Sequence, residues 1–254
     1  RPGWHIECSA MSMAFLGDHF DIHCGGVDNK FPHHENEIAQ SVCAIDTPFV
    51  NTWLHSEFLM IDGGKMSKSL GNFYCISDLI EKGFAPEEIR YIMLSGHYRT
   101  KINFTLDKQH EAKASIQRIQ SLKVRLQDLK ENDSDEFPIE KSNFDTALEN
   151  DLDAPNALAL FFDWVRATNS AADKDALSSD DVAKGLNFIS YFNDVFGVLP
   201  DSGMIPQDIM DLVLKRETAR QSKDWAKSDK LRNLIGSKGW VVKDTPDGPK
   251  LISK

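Results

Sequence analysis

The feature that most constrains this chain is a lysine- and serine-containing segment that directly follows a predicted β-hairpin turn. Residues 56–61 have the composition of a strand, and residues 62–64 (Asp-Gly-Gly) are typical of a tight turn. The turn leads into residues 65–69 (Lys-Met-Ser-Lys-Ser). Two ammonium groups, serine hydroxyls and loop amides are suited to contact a mobile, highly charged phosphate. A bare K-x-x-K is typical of a solvated loop, but the complete string after a hairpin favours a phosphate site.

The composition is typical of a folded, soluble protein of one to three domains. The chain has 254 residues, of which 41% are hydrophobic and 27% charged. No apolar run approaches the roughly 20 residues of a membrane span, and no signal peptide is recognisable, so we expect a cytoplasmic protein without a membrane partner. The chain starts at an arginine directly before a motif-rich segment, which suggests the back part of a longer protein.

The cysteines indicate the redox compartment, and the net charge bears on whether the protein binds nucleic acid. The cysteines are Cys8, Cys24, Cys43 and Cys75, and they form no C-x-x-C pair. This pattern favours a reducing compartment over a disulfide framework. The formal net charge of −10 argues against a broadly basic nucleic-acid binder but leaves a local basic patch open.

A short predicted strand near the start of the chain ends at a glycine pair. Residues 20–23 have strand composition, and residues 24–28 (Cys-Gly-Gly-Val-Asp) are interpreted as a turn at the carboxyl end. Ligands of open α/β sheets bind at such ends. Gly25 and Gly26 would let a nucleotide approach the backbone, and Asp28 would accept from a ribose hydroxyl. A lone G-G-x-D is more often only a turn, so both interpretations stay open.

The next segment places potential metal ligands on one helical face. Pro32 is suited to begin a helix, on which His33 and Glu37 are four residues apart. Cys8 would supply a thiolate from another element. One sulfur, one imidazole and one carboxylate suit zinc. The alternative is a solvated polar helix with Cys8 buried as a small apolar residue, and the spacing alone favours that alternative.

The middle of the chain predicts helices. Ser77 is suited to cap a short helix that stops at Gly83, Pro86 to begin another, and Asp153 to cap a third. Two apolar stripes at helical spacing comprise Ile116, Ile119, Leu122, Leu126 and Leu129, and Val182, Leu186, Ile189, Phe192 and Val195. With an acidic loop at residues 131–138, this pattern predicts a bundle of about four helices.

The charge reverses near the end of the chain, beyond a predicted linker at residues 200–203. Residues 215–243 contain nine lysines and arginines against three acidic residues, a surplus of six positive charges. A helix pair is followed by residues 240–243 and 251–252, which flank a Pro-Asp-Gly turn and predict a hairpin. A compact basic α+β module suggests a localised nucleic-acid contact, whereas the alternative is an ordinary solvated surface.

Three segments resemble, in order and spacing, motifs of the cysteinyl-tRNA synthetases, which are class I aminoacyl-tRNA synthetases. They are residues 3–11 (Gly-Trp-His-Ile-Glu-Cys-Ser-Ala-Met), 31–37 (Phe-Pro-His-His-Glu-Asn-Glu) and 65–69. The last resembles the KMSKS loop, which grips the pyrophosphate of ATP. The resemblance runs from the late catalytic domain to the C-terminus and covers essentially the whole chain.

The resemblance implies a fold that is α/β plus mostly α. Residues 1–106 would form the back part of a Rossmann-type class I catalytic domain, with the KMSKS loop and a region that contacts the tRNA stem. Residues 107–200 would form a DALR-like helical bundle. Residues 201–254 would form a small α+β module that binds the anticodon. A monomer is expected.

The resemblance also implies a reaction and the residues that would carry it. In this family the cysteine carboxylate attacks the α-phosphate of ATP, and the cysteinyl adenylate then passes its cysteinyl group to tRNA-Cys. Lys65 and Lys68 would stabilise charge on the phosphates, assisted by Mg²⁺. The residues expected to bind ATP are Lys68, Gly25, Gly26 and Asp28. The expected partners are L-cysteine, ATP and tRNA-Cys.

The family holds one zinc ion with two cysteines, a histidine and a glutamate. By motif, Cys8, His33 and Glu37 match three of these ligands. The fourth, a cysteine near the family's N-terminus, does not occur in this chain, and neither does the HIGH motif of the ATP site. A zinc–thiolate bond would separate cysteine from serine, which differ too little for an apolar pocket to sort. The residues that match the family's cysteine pocket are Trp4, His23 and His55.

The C-terminal positions that match those used for the GCA anticodon are Arg220, Trp225, Asp229 and Asp244. Specific RNA recognition commonly stacks splayed bases on aromatic side chains, which is the role expected of Trp225. The alternative is that Trp225 only packs the two helices together.

Two other functions fit parts of the sequence. One is a cysteine ligase that acts on a small-molecule amine, as the mycothiol-pathway ligases do, but such a substrate gives no use to a basic C-terminal module. The other is a non-enzymatic tRNA-binding protein derived from a truncated synthetase. The mass of the natural protein separates this last interpretation from a fragment of a larger enzyme.

Overall fold

The computed structural model describes residues 3–67, 69, 71–200, 207–222, 224–245 and 248–253. The chain divides into two compact units, one up to Val198 and one from Leu199 onward. Among the described residues, no helix combines the length and apolarity needed to cross a membrane.

The first unit begins with a parallel strand pair and its crossover helix. Helix α1 (Trp4–Leu16) precedes β1 (Phe20–Gly26), and α2 (Glu35–Ile45) connects β1 to β2 (Val50–Ser56). The strands pair in parallel, from Phe20 opposite Val50 to Gly26 opposite Ser56. Both carboxyl ends therefore lie at the same edge, which is where an open α/β sheet binds ligands.

One local prediction in this region was wrong and one is confirmed. Strand β1 extends to Gly26 rather than ending at His23, because its pairing with β2 continues through the glycines. Pro32 lies in a π-helical turn (Lys30–His34), in which Phe31 alone departs from helical geometry, at φ −138° and ψ 131°. A residue before proline is sterically biased away from helical geometry, so the helical run that continues into α2 begins at Pro32, as predicted.

The hairpin predicted before the lysine–serine segment is confirmed, with shorter strands. Strands β3 (Leu59–Ile61) and β4 (Gly64–Lys65) are antiparallel, and β5 (Ile102–Phe104) pairs with β3 in parallel. Asp62 and Gly63 have φ of 49° and 76°, the positive values that a type I′ turn requires. The predicted strand at residues 56–61 is split, because Ser56 ends β2 and β3 starts at Leu59.

Helices α3 (Ile76–Glu81) and α4 (Pro86–Leu94) pack beside this hairpin. Their shared core consists of Ile61, Leu79, Phe84, Ile89, Ile92, Phe104 and Ala112. Pro86 begins α4 as predicted. Cys75 rather than Ser77 precedes α3, where its backbone N–H donates to the Asp78 carboxylate at 2.7 Å. Residue Asp78, at the third helical position, thus satisfies an amide that the helix leaves unpaired.

The predicted four-helix bundle is confirmed. It comprises α5 (Lys108–Leu129), α6 (Glu140–Glu149), α7 (Ala154–Ala172) and α8 (Ser179–Phe196). Its core is largely aromatic, with the Phe161 and Phe192 rings stacked at 3.8 Å. Asp153 caps α7 as predicted, and accepts from the Asn156 N–H at 3.2 Å. Leu129 and Val195 are exceptions to the predicted stripes, at 45% and 39% exposed. Leu129 is the last residue of α5, beyond which α5 has no further turn to pack.

An exposed ion pair joins the bundle to the segment after α4. Asp151, in the α6–α7 loop, accepts from Arg99 Nε and from the Tyr98 hydroxyl, both at 2.5 Å. Hydrogen bonds from Arg99 and then from Tyr98 lower the pKa of Asp151 to about 2. The Tyr98 carbonyl in turn accepts from the Glu57 N–H at 2.7 Å, one residue after β2. The bundle is thus tied to the strand end that carries site residues.

The second unit is a small α+β module. It contains α9 (Gln207–Gln221), α10 (Trp225–Ser237), β6 (Trp240–Thr245) and β7 (Gly248–Ser253). The last two form the predicted antiparallel hairpin. The core of this module consists of Ile209, Val213, Ile235 and Val242. Residues 201–203 of the predicted linker and the turn residues 246–247 lie outside the described residues, and the two domain boundaries proposed from the sequence stay predictions.

Candidate metal and nucleotide site

Glu37 is the centre of a cluster at the carboxyl ends of β1 and β2. It is fully buried at 0% exposed, an unusual state for a carboxylate. Its Oε2 atom lies 2.7 Å from His23 Nε2, and its Oε1 atom lies 2.9 Å from His33 Nε2. The contact with His33 lacks hydrogen-bond geometry, so Oε1 has no hydrogen-bond partner within the described structure. A buried, unpaired carboxylate oxygen is costly unless a cation contacts it.

The three sequence-predicted metal ligands come together around the Glu37 carboxylate. The sulfur of Cys8, a ring nitrogen of His33 and a carboxylate oxygen of Glu37 all lie within 4.8 Å of one another. They come from α1, the π-helical turn and α2, and α1 packs against the other two. A mixed sulfur, nitrogen and oxygen set is suited to zinc. The residues present therefore fit the metal that the family resemblance implies.

The electrostatics of Cys8 disfavour a thiolate in the absence of a cation. Burial raises the pKa of the Cys8 thiol, and the negative charges of Glu37 and Glu7 raise it further. Without a cation the sulfur is a neutral thiol, and the thiolate needs a positive charge beside it. Cys24 belongs to neither metal-type cluster of the described residues; it is exposed and lines an apolar cavity of about 650 Å³.

Three predicted cysteine-pocket residues surround the cluster. The ring of Trp4 is 77% exposed and stands perpendicular to that of His33, 6.3 Å away. His23 contacts Glu37, as above. His55 Nε2 lies 2.8 Å from His34 Nδ1. The geometry therefore brings Trp4, His23 and His55 to the edges of one cluster.

His34 and Trp53 also belong to the cluster, and sequence reasoning missed them. His34 is 4% exposed and forms a second metal-type group with His23 and Glu37. Trp53 stacks on His23 at 4.6 Å, which follows from the β1–β2 register, where these residues are opposite each other. Strand alternation, which puts Trp53 on the same face as His55, was the available signal. For His34 the only signal was its position next to His33.

Burial disfavours the protonated form of two imidazoles of the cluster, His34 and His55. Burial lowers the pKa of His34, although the charge of Glu37 opposes the shift. Burial also lowers the pKa of His55, and the positive charge of Lys30 adds to this. Neutral rings donate and accept hydrogen bonds without repelling a cation at Cys8.

The glycine pair allows two side chains to approach the backbone closely. A Cβ atom at Gly25 would lie 2.5 Å from Cε1 of His34, and one at Gly26 would lie 2.5 Å from Oδ1 of Asp28. Part of the space expected for a nucleotide at Gly25 is thus taken by the His34 ring. Asp28 is exposed in a short 3₁₀ turn, Val27–Asn29. The role of these three residues in binding ATP stays a prediction.

The lysine–serine segment is held from both sides by asparagines. Asn72 Oδ1 accepts from the Ser67 N–H at 2.8 Å, and Asn72 Nδ2 donates to the Lys65 carbonyl at 3.1 Å. Asn103 Oδ1 accepts from the Gly63 N–H at 2.7 Å, which fixes the hairpin turn. Lys65 is exposed, with Nζ 5.9 Å from the centroid of the Phe58 ring. Lys68, the second predicted catalytic lysine, lies outside the described residues.

The predicted anticodon residues lie on the second unit. Trp225 is the first residue of α10 and is 57% exposed, while Asp229 is also exposed. Arg220 Nη1 donates to Asp244 Oδ2 at 2.8 Å, so the structure brings this pair together. The high exposure of Trp225 argues against a role as core packing for the helix pair.

Two family models match separate parts of the chain. Residues 1–114 match the catalytic domain of class I (C) tRNA synthetases, and residues 143–200 match the DALR domain. A cysteine–tRNA ligase from Chlamydia muridarum is 45% identical over 99% of this chain. The chain is a homologue of the cysteine–tRNA ligases.

Other cysteine–tRNA ligases agree with this relationship. The ligase of Protochlamydia amoebophila is 43% identical over 99% of this chain, and that of Brachyspira hyodysenteriae 43% over 98%. The chain spans about half the length of these relatives: 56% of the Chlamydia and Brachyspira ligases and 54% of the Protochlamydia ligase.

Solved structures show the same fold at low identity. An Agrobacterium radiobacter LeuRS, in a ternary complex with tRNA and LeuAMS, has a TM-score of 0.52 at 18% identity. That match covers 69% of this chain and 25% of the LeuRS. A putative arginyl-tRNA synthetase from Campylobacter jejuni has a TM-score of 0.51 at 14% identity, covering 80% of this chain and 53% of that one. The predicted fold class, α/β plus mostly α, is confirmed.

Proposed function

We propose that this chain supplies the zinc-binding, phosphate-binding and tRNA-binding parts of a cysteine–tRNA ligase. The complete enzyme activates L-cysteine with ATP and transfers the cysteinyl group to tRNA-Cys. The observation that carries this proposal is the convergence of Cys8, His33 and Glu37, whose buried carboxylate has one oxygen without a hydrogen-bond partner within the described residues.

Cys8, His33 and Glu37 would hold the zinc ion. When bound, zinc supplies a Lewis acid that binds a thiolate far better than a hydroxyl, which separates cysteine from serine. His23 holds the Glu37 carboxylate in place at 2.7 Å and so orients a ligand. Trp4 and His55, at the edges of the cluster, would enclose the substrate.

ATP would bind across the carboxyl ends of β1 and β2 and under the lysine–serine loop. Asp28, exposed beyond β1, would accept from a ribose hydroxyl. Lys65 and Lys68, with Mg²⁺, would stabilise the charge that develops on the phosphates as the carboxylate attacks. Asn72 keeps the loop backbone between the lysines in register, because it contacts both Lys65 and Ser67.

The second unit would bind the anticodon of tRNA-Cys. Trp225 offers an exposed indole for base stacking, and Arg220, Asp229 and Asp244 offer charged groups for base edges. A monomeric, cytoplasmic enzyme is part of the same proposal.

The 254 residues alone are expected to be inactive in cysteine activation. They contain three of the four zinc ligands that the resemblance implies, and the HIGH string does not occur in them. Activation depends on positioning ATP between two loops, and one loop does not provide that geometry.

The metal part of the proposal predicts weak zinc binding that depends on Glu37. Closed tetrahedral zinc sites use four ligands, so the wild-type chain should bind one zinc ion and lose it on dialysis against a chelator. Glu37→Gln should lower zinc affinity at least about tenfold further, because it removes a ligand charge. Zinc affinity is measured by competition with a chromophoric chelator.

Glu35→Gln is the matched control, since Glu35 is an exposed carboxylate two residues away on the same helix. It should bind zinc like the wild type. Equal zinc affinity in the Glu37 and Glu35 variants would contradict the ligand assignment. One zinc ion that survives chelator dialysis would contradict the prediction of weak binding.

A further inference from the structure

Arg216 is the most unusual charged residue of the second unit. It lies in α9, is 1% exposed and is the largest fully buried side chain of the described structure. Arginine is almost never buried to this degree unless it is paired. The ion-pair partners of Arg216 therefore indicate why its side chain is buried.

The guanidinium of Arg216 grips Asp244 of β6 with two parallel hydrogen bonds. Its Nη1 atom donates to Oδ1 at 2.8 Å, and its Nη2 atom donates to Oδ2 at 2.9 Å. Nη1 also donates to Glu217 Oε1 at 2.9 Å. This fork geometry fixes both the position and the plane of a carboxylate, which a lysine cannot do.

Asp244 connects the buried Arg216 to Arg220, which is partly exposed. Its Oδ2 atom also accepts from Nη1 of Arg220, at 2.8 Å. Arg220 is one helical turn after Arg216 on α9, and its side chain is 34% exposed, compared with 2% for Arg216. The module thus has an inner cation, a carboxylate and an outer cation in series, and only the outer two reach solvent.

Stability alone explains this arrangement poorly. The Arg216 guanidinium loses its hydration on burial, and the attraction of an ion pair commonly does little more than offset that cost. The Nε atom of Arg216 is buried without a hydrogen-bond partner in the described residues, which adds a further cost. The two hydrogen bonds from the Arg216 guanidinium instead fix the orientation of the Asp244 carboxylate.

We propose that Arg216 is a positioning residue for RNA recognition: through Asp244 it orients Arg220 toward the bases of a bound anticodon loop. This inference rests on the proposed function of the module as an anticodon-binding unit. Arg216 itself touches no RNA. Hydrogen bonds to Asp244 raise the pKa of Arg216, and the same bonds lower the pKa of Asp244, so the array stays charged.

The test measures base discrimination by the 254-residue chain. Fluorescence anisotropy gives its affinity for a labelled RNA stem-loop that carries the GCA anticodon and for three stem-loops with one anticodon base changed. The wild type should prefer GCA. Arg216→Lys keeps the charge but loses the fork, and should reduce this preference about tenfold while binding to the changed stem-loops stays within about twofold. A purely structural role would instead weaken all four RNAs equally and lower the melting temperature.

Arg220→Gln tests whether Arg216 acts through Arg220. The double variant Arg216→Lys/Arg220→Gln should discriminate no worse than Arg220→Gln alone, since the orienting residue then has nothing to orient. Additive losses would overturn the proposal.

Asp244→Glu covers the case in which Arg216→Lys does not fold. Asp244 is at the surface, with its side chain 41% exposed, and the longer side chain shifts the carboxylate. It should lose discrimination in the same way. Full discrimination by a folded Arg216→Lys or Asp244→Glu chain would overturn the proposal. A wild-type chain without any preference for GCA would remove both this inference and the anticodon function on which it rests.

Discussion

Lys68→Ala is expected to lower cysteine-dependent ATP–pyrophosphate exchange at least about 100-fold in a complete ligase that contains this chain. The ammonium would contact charge that is greatest in the transition state, so its removal should act mainly on the rate. The Asn72 and Asn103 contacts hold the hairpin and the loop, and they do not involve the lysine side chain. The variant should therefore fold normally. A complete ligase can be made by joining this chain to the amino-terminal segment of the Chlamydia muridarum relative.

Lys174→Ala is the control, because Lys174 is an exposed lysine between α7 and α8, in the bundle rather than in the loop. It should leave pyrophosphate exchange unchanged. In the 254-residue chain alone, both variants should be silent, since that chain is expected to have no exchange to lose. Exchange within about threefold of wild type in the Lys68 variant of the complete ligase would show that the loop does not grip ATP through this residue.

Trp225→Ala is expected to cost about 1–3 kcal/mol of tRNA binding, while the melting temperature barely moves. At 57% exposed, the indole is available to stack on an unpaired base. A tryptophan that packed the helix pair as core would instead cost about 3–5 kcal/mol of folding stability. Binding by anisotropy and unfolding by calorimetry, on the same samples, separate the two roles.

Leu234→Ala controls for the loss of exposed apolar surface on the same helix, since Leu234 is 44% exposed. It should bind tRNA like the wild type. A Trp225 variant that unfolds, or that binds tRNA as well as the Leu234 variant does, is inconsistent with stacking.

The elements that could be predicted from the sequence are those with local causes. The type I′ turn at Asp62-Gly63 depends on two adjacent residues that tolerate positive φ. The bundle follows from apolar spacing along each helix. By contrast, the extension of β1 to Gly26 depends on pairing with β2, a partner strand that local composition does not show.

The residues of the candidate site likewise divide into those that local sequence predicts and those that depend on contacts between distant segments. Cys8, His33 and Glu37 were predicted as ligands from side-chain chemistry, the i, i+4 spacing and the family resemblance. His34 and Arg216 were missed, because burial and partners define their roles, and both come from contacts between distant segments. In the sequence, Arg216 is only one charge of a basic segment, whereas in the structure it is inside the module.

The amino-acid specificity of ATP–pyrophosphate exchange in the complete ligase tests whether zinc at Cys8, His33 and Glu37 selects cysteine. With zinc present, we expect exchange that depends on L-cysteine and exceeds exchange with L-serine at least about 100-fold, because a soft thiolate binds the metal and a hydroxyl does not. A folded, zinc-loaded ligase that activates serine as well as cysteine, or that activates a different amino acid, would rule out this function.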